Sequence, residues 1–519
     1  MLLTDLVTTS DAVAQTGSRL AKIERLADLV KRTPEDELEL SIAFLTGAPR
    51  QGRIGIGGAA LRSARDVPSA DVATLQLKEV DETFEMVAAR SGAGSSRDRV
   101  QILRVLFARA TASEQDFLVR LLFGELRQGA LEGVLVEAVG RAAGIPGSVV
   151  RRAAMLEGAL APVAHTAIVG GRSALEQFAI RPLRPVQPML ADSSEDVQEA
   201  LSELGEAALE YKLDGARIQV HKLDDEVRVF SRALRDVTAA VPEVVDRVRS
   251  LSARELILDG EVIALRPDGW PQPFQITMRR FGRKLDVDRL RSTLPLSPFF
   301  FDCLFIDGAA LIDEPLSARA DMLGRAAPLD IVVPRLVTSQ PDEAVGFVER
   351  AISAGHEGVM AKVLNAPYAA GRRGSAWLKV KRPRTLDLVV LAVEWGSGRR
   401  RGFLSNLHLG ARDSERGGFV MLGKTFKGLT DDMLAWQTRR LLELEVARDQ
   451  HTVYVRPELV VEIAFNEIQV SPQYPGRLAL RFARVKSYRS DKPASAADSM
   501  LAVQRVYQQL TGLEPPPRA

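Results

Sequence analysis

The chain has 519 residues, 46% of them hydrophobic, which at a working size of about 150 residues per domain leads to three or so domains. The formal net charge of +2 hides local runs of one sign, and the single cysteine, Cys303, excludes a disulfide framework and any cysteine-built zinc module. The five histidines lack metal-ligand spacing, the opening MLLTDLVTTSDAVAQ lacks the basic start of a leader, and no apolar run reaches the roughly 18 residues of a membrane span, so a soluble, cytoplasmic protein is expected.

From the start to residue 187 the pattern is helical. Thr111 and Glu114 form a capping-box signature, and Phe117, Leu118, Leu121 and Leu122, then Val134, Leu135, Ala138 and Val139, recur at helical spacing. GRIGIGGAA, from Gly52 to Ala60, has no strand context for a dinucleotide loop and reads as a tight turn before a helix, still able to offer amides to a phosphate. Pro182, Pro185 and Pro188 then mark a stiff linker.

Beyond the linker the period changes to two. ALEYK, ARIQVHK, EVRVFSR, LILDGEVIAL, FFFDCLFIDG, EGVMAKV and AWLKVK read as strands, with VPEVVDRVRSL and DEAVGFVERAISAG as helices, an α+β pattern. Cys303 falls in an apolar strand, as a buried thiol would. After a second break at KRPRTLDLV come five or so short strands and one helix near Asp431 to Glu445, the complement of a small β-barrel of the OB type, then a tail, TGLEPPPRA, expected to be flexible.

Only 13 of the 69 basic residues are lysines, so a lysine in a distinctive setting invites a chemical reading: its amine can lose a proton and attack an electrophile, whereas guanidinium cannot. Lys212 is such a residue. In ALEYKLDGARIQVHK, strand alternation puts Glu210 and Lys212 on one face, before a Leu213-Asp214-Gly215 turn and Arg217; an exposed hairpin with ordinary surface charges would have the same spacing. Asp259 and Glu261 point one way from an apolar strand and need a partner, whether a divalent cation, a sugar hydroxyl or a structural ion pair. Trp377, Lys379 and Lys381 share a face, with Glu357 and Arg373 before them, inside a run from Arg372 to Arg384 holding six cations and no acid. A polyphosphate with its cation would satisfy these charges together. Near the end, Arg481, Arg484, Arg489, Asp491 and Lys492 crowd one stretch, a nucleic-acid face or solvated charge.

Together these segments resemble the covalent nucleotidyltransferase superfamily, and most closely the ATP-dependent DNA ligases. EYKLDGAR matches the adenylation motif, FSRALRD the ribose-contact strand, LDGEVIA the third motif, FFFDCLFIDG the base-stacking strand, EGVMAK the fourth, WLKVK the fifth and RSDK the last. The first part, especially LLFGELRQGALEGVLVEAVGRAAG, is similar to the family's DNA-binding domain. Ala216 and Ala483 depart from the frequent glutamate and proline, and neither position supplies an essential charge. The resemblance implies an all-α DNA-binding domain over 1–187, an α+β nucleotidyltransferase (adenylation) domain over 188–384, and a β-barrel OB-fold domain over 385–519.

Carried over by position, the resemblance makes Lys212 the residue that becomes AMP-lysine, with Glu210 reading the adenine edge and Phe301 stacking on its face. Arg217 would contact the nucleotide and later the nick phosphate. Arg232 and Glu261 would hold the ribose or a metal, and Glu357 a metal. Arg373, Lys379 and Lys381 would handle phosphates, and Asp214 belongs to the same motif as Lys212. Asp491 and Lys492, on a mobile barrel, would orient pyrophosphate. A free lysine of pKa about 10.4 is deprotonated on the order of once in 10³ at pH 7, so neighbouring cations are expected to lower the pKa of Lys212. The implied enzyme is a monomer using ATP and Mg²⁺ or Mn²⁺ to seal nicked duplex DNA, without a membrane. Its rivals are an RNA ligase, a capping-type guanylyltransferase and a DNA-binding protein that has lost catalysis; an NAD-dependent ligase is disfavoured because its usual cysteine cluster is missing.

Overall fold

The computed structural model describes residues 1–517 except 53, 93, 125, 127–131, 283–285, 370–372 and 382–383, with no description of the side chains of 373–375. Helices from Leu3–Gln15 to Gly171–Leu175 surround one apolar core. The capping box opens the helix Ala112–Phe123: the Thr111 hydroxyl accepts from the Glu114 amide, and the Thr111 amide donates to the Glu114 carboxylate at 2.8 Å. The glycine-rich turn runs into the helix Gly58–Arg65. Of the stretch LLFGELRQGALEG, residues 125 and 127–131 lie outside the described residues.

The proline linker is docked rather than free. Val186 is fully buried; its amide donates to Gln219 Oε1 at 2.8 Å and its carbonyl accepts from Gln219 Nε2 at 3.2 Å. Two sheets follow. Their strands are β1 (Leu190–Ser194), β2 (Ala207–Tyr211), β3 (Ala216–Leu223), β4 (Glu226–Ser231), β5 (Glu255–Ala264), β6 (Leu296–Ile306), β7 (Ala309–Ala310), β8 (Arg335–Thr338), β9 (Gly358–Val363) and β10 (Arg373–Lys381). One sheet has the order β1-β10-β9-β2-β8 and the other β4-β3-β5-β6-β7.

The strands flanking Lys212 therefore do not form a hairpin. β2 and β3 belong to different sheets, and Leu213-Asp214-Gly215 is the crossing between them. A side chain at position 215 would lie 2.2 Å from the Val262 carbonyl oxygen and 2.5 Å from Ile263 Cγ2, so glycine alone fits there.

Alternation then makes the cleft. Outward residues of β2, β9 and β10 (Leu209, Val359, Ala361, Leu378, Val380) pack on the helices Val197–Leu204 and Pro341–Ser353. Those of β3, β5 and β6 (Ile218, Val220, Leu258, Val262, Phe300) pack with Cys303 on helices Pro242–Arg249 and Leu316–Ala326. The remaining alternate positions, largely polar, face one another between the sheets.

The C-terminal part contains β11 (Arg384–Trp395), β12 (Leu404–Arg412), β13 (Phe419–Thr425), β14 (Glu445–Arg448), β15 (Thr452–Val455), β16 (Val460–Phe465), β17 (Glu467–Val470), β18 (Leu478–Arg481) and β19 (Arg484–Tyr488). β11 is the centre, paired with β12, β15 and β16, while β17 and β18 form a separate ladder. Of the basic stretch near the end, Arg481 closes β18, Arg484 opens β19, and Arg489, Asp491 and Lys492 follow β19. Besides the helix Asp431–Glu443 there is a second, Met500–Thr511, not foreseen from the sequence, although Ser499 caps it and Met500, Val503 and Tyr507 are buried at helical spacing. Among the described residues no helix is long and apolar enough to cross a membrane.

One buried pair braces the strand that bears Phe301. Arg319 donates to both carboxylate oxygens of Asp302 at 2.7 and 3.1 Å, with both side chains fully buried. Removing the guanidinium strands a carboxylate, so Arg319→Ala is expected to lower the unfolding free energy by about 3–5 kcal/mol in a urea titration of the full chain. A loss of about 1 kcal/mol or less, as for a surface pair, would contradict this.

Candidate active site

The two inner faces enclose a cavity of about 570 Å³ lined by Glu210, Lys212, Asp214, Arg217, Arg232, Glu261, Phe301, Glu357, Lys379 and Lys381, among others. Every candidate nucleotide-pocket residue with a described side chain is therefore at one cleft. Arg373 begins β10 opposite Leu190, and its side chain lies outside the described residues. Arg232 is exposed at the rim.

Lys212 follows β2 and is held by the next strand: its amide donates to the Gly358 carbonyl at 2.9 Å, and the Glu357 amide to the Lys212 carbonyl at 3.2 Å. Glu357 Oε2 then accepts from Lys212 Nζ and pairs with Lys381 Nζ at 2.6 Å. Burial by itself would lower the pKa of Lys212, but Glu357, Glu261 and Asp214 outweigh it, and the amine is held above its ordinary value. This corrects the expected lowering by cations: in the free protein the carboxylates win. Lys381 goes the other way, lowered by burial and by Lys212.

The acids of β5 divide their work. Asp259 has a structural partner, accepting from Arg217 Nε at 3.0 Å and Nη2 at 2.7 Å and from the Tyr368 hydroxyl at 2.7 Å. Arg217 also donates to the Met189 carbonyl at 2.7 Å, and its pKa is raised chiefly because Asp259 overcomes the effect of burial. Glu261 has no hydrogen bond or ion pair among the described residues, and burial pushes its carboxyl up to about 7. A half-buried carboxylate without a partner among the described residues, in the same cavity as the shared Glu357, fits a divalent cation. Among the described residues no three side chains form a complete metal cage, so phosphate and water would supply the other ligands.

At the other end of the cavity, Glu210 is fully engaged. Arg335 donates to its Oε1 from Nε at 2.8 Å and Nη2 at 2.5 Å, and Lys362 pairs with its Oε2 at 2.5 Å. Burial would raise the carboxyl, yet Lys362 and Arg335 hold it below its ordinary value. Trp377 meets Phe301 edge to face at 5.9 Å. Arg335 and Tyr368 gave no sequence signal, since only long-range pairing brings them here. Lys362 lay in EGVMAK, the stretch matched to the fourth motif, which was the available signal.

The C-terminal part meets the cleft with Asn466, Arg481 and Phe482. Arg481 Nη1 bridges Asp214 at 3.2 Å and Glu467 at 3.1 Å, and its guanidinium lies 3.5 Å over the Phe274 ring. Burial and Asp214 push Glu467 up to about 7. In this arrangement Asp491 and Lys492 do not line the cavity; Asp491 is paired with Arg489 at 2.7 Å, and Lys492 with Asp387.

A lysine at the crossing between two sheets, with carboxylates and basic residues converging on it, is an arrangement suited to a covalent nucleotidyltransferase. Family profiles sharpen this: the ATP dependent DNA ligase domain matches residues 188–381, the ATP dependent DNA ligase C terminal region 400–492 and the DNA ligase N terminus 59–140. The chain belongs to the ATP-dependent DNA ligase family. A protein of Anaeromyxobacter sp. (strain Fw109-5) described as a probable DNA ligase is 59% identical over 516 residues, 99% of each chain. Another probable DNA ligase, from Mycolicibacterium gilvum (strain PYR-GCK), is 53% identical over 512 residues, 98% of this chain and 99% of its own. The solved structure Pmar-Lig_Pre. covers 93% of this chain and 99% of its own with a TM-score of 0.63 at 18% identity, a likeness of fold. The protein is multidomain, with a helical N-terminal region, a nucleotidyltransferase domain and an OB-like C-terminal sheet domain, and as a ligase it uses ATP and a divalent metal on nicked DNA.

The opposite shifts of the two lysines on Glu357 are measurable. With isotope-labelled reductive methylation of the 13 lysines and assignment by Lys212→Arg and Lys381→Arg, Lys212 is expected to titrate above the ordinary value of about 10.4 and Lys381 below it. The reverse order would show that Glu357 serves Lys381 first.

Proposed function

We propose that Lys212 is the amine that accepts AMP, within catalytic limits of 188–384 flanked by a DNA-binding domain over 1–187 and an OB-fold barrel over 385–519. The observation that carries this reading is the position of Lys212 Nζ, bound to Glu357 in the same cavity as Glu261 and Lys379. Mg²⁺ is the fitting cation, given all-oxygen donors beside phosphates, and a monomer in the cytoplasm is the expected working form.

Nζ attacks the α-phosphorus of ATP, an N–P bond forms, the bond to the bridging oxygen breaks, and pyrophosphate leaves. The ammonium proton in the hydrogen bond to Glu357 departs along it before attack, and a second Nζ proton passes to solvent as the N–P bond forms. Lys379 and Lys381 offset charge on the phosphate oxygens, as in-line phosphoryl transfer requires. Phe301 supports the base, and Arg232 at the rim faces the ribose side. A divalent cation held by Glu261 and Glu357 would supply positive charge that offsets the carboxylates keeping Lys212 protonated. Arg217, already fixed by Asp259, orients the phosphate end and then the 5′-phosphate of the nick. AMP passes to that phosphate, and the 3′-hydroxyl displaces it. Asp491 and Lys492 reach pyrophosphate only if the C-terminal domain turns, exchanging the Arg481–Asp214 contact for a different face.

Incubation with α-labelled ATP and Mg²⁺ is expected to leave acid-labile label on wild type and none on Lys212→Ala. Undiminished label on the variant would reject Lys212. Adenylated enzyme is expected to seal nicked DNA; sealing confined to nicked RNA would move the assignment to an RNA ligase. A chain lacking residues 1–180 retains Val186 and is expected to keep adenylation while losing most nick sealing, and equal sealing would refute a DNA-gripping role for the helices.

A further inference from the structure

The linker from the helical region meets the cleft wall at one buried hydroxyl. Tyr368, between β9 and β10, is 1% exposed, and its amide donates to the Ile312 carbonyl at 2.9 Å. Its ring stands edge to face with Trp377 at 5.8 Å, and the Arg319 guanidinium lies 5.9 Å from the ring centre. The hydroxyl so placed donates to Asp259 Oδ2 at 2.7 Å and accepts from the Met189 amide at 3.0 Å and from Arg217 Nη2 at 3.2 Å. One donor and two lone pairs are all a phenol has, and all are used. Burial and Asp259 raise its pKa well above the ordinary value, so it stays neutral and keeps its donor.

Three pieces of chain therefore meet at that oxygen: the linker, the paired strands β3 and β5, and the segment entering β10. Arg217 is fastened to each. Its Nε and Nη2 donate to Asp259, Nη2 also to Tyr368, and Nη1 to the Met189 carbonyl at 2.7 Å. Of the five N–H groups of a guanidinium, these contacts leave one, on Nη1, for a ligand of the cavity that Arg217 lines. Without the hydroxyl, the Met189 amide and one Nη2 hydrogen lose their acceptor, and the guanidinium is held by fewer fixed partners.

We propose, resting on the assignment of Arg217 to the 5′-phosphate of the nick, that Tyr368 is a positioning residue for that contact. Its hydroxyl locks Arg217 to the linker so that the remaining N–H is presented to the phosphate monoester. Tyr368 does not itself line the cavity and acts through the arginine. A phosphate monoester gains from a charge-assisted hydrogen bond of fixed direction in a way that a 5′-hydroxyl does not, so the lock helps the enzyme tell a sealable end from an unsealable one.

The full chain, adenylated with ATP and then freed of divalent cations with EDTA, is titrated with two nicked duplexes of one sequence, one bearing a 5′-phosphate and the other a 5′-hydroxyl. The readout is the ratio of the two dissociation constants at one ionic strength, since phosphate contacts depend on salt. Wild type is expected to prefer the phosphate. Tyr368→Phe, which keeps the ring and loses the hydroxyl, is expected to reduce that preference about tenfold while its affinity for the 5′-hydroxyl nick stays within about twofold. An unchanged ratio, whether both affinities hold or both fall together, would assign the hydroxyl to structure alone and overturn the proposal. Should Tyr368→Phe not fold, Tyr368→4-aminophenylalanine takes its place: it still donates to Asp259 but accepts poorly from Arg217 and Met189, and the same loss is expected and the same result overturns. The underlying assignments fail separately. Wild type without a phosphate preference would remove Arg217 from the nick, and wild type that takes no label from ATP would reject Lys212.

Discussion

An amine set beside carboxylates keeps its proton, and the Lys212–Glu357 pair, with Glu261 and Asp214 nearby, ties the proposed nucleophile to negative charge that must be offset before it can react. The surroundings of Lys212 follow from that constraint. Lys381 shares Glu357 and so weakens its hold on Lys212; Glu261 has no hydrogen bond or ion pair among the described residues; Lys379 adds a cation from the same sheet face. On the proposed role of Lys212, this arrangement protects the free protein from indiscriminate reaction there, because the amine would become nucleophilic only when bound charge rebalances the carboxylates.

The two basic residue types divide the labour. Arg217, Arg280, Arg319 and Arg335 each grip a carboxylate through two contacts, with Asp259, Glu243, Asp302 and Glu210 as partners. Their planar, permanently charged heads suit fixed scaffolding. In the cleft the lysines Lys212, Lys362, Lys379 and Lys381 stand where charge can be shared or meet a ligand.

Much of this was legible in the sequence because alternation is a local property. The shared faces of Asp259 and Glu261, and of Trp377, Lys379 and Lys381, followed from strand spacing alone, as did the Thr111 cap. The crossing at Leu213-Asp214-Gly215 was not legible, because a turn and a sheet-to-sheet crossover have the same local composition and differ only in distant partners. The direction of the Lys212 shift also escaped, since it depends on which of several charges lie nearest. Arg481 was visible as part of a basic stretch, but its reach to Asp214 depends on how the C-terminal part is set against the cleft, which no local pattern encodes.

The docked linker changes what counts as a separable unit. Val186 is hydrogen-bonded to Gln219 and Met189 to Arg217, the arginine of the nucleotide cavity, so the chain leading to the helices is built into the wall of the catalytic cleft. A chimera carrying a foreign DNA-binding module would have to be joined upstream of Val186. A graft made at the apparent boundary near Pro188 would remove part of the cleft wall along with the domain being exchanged.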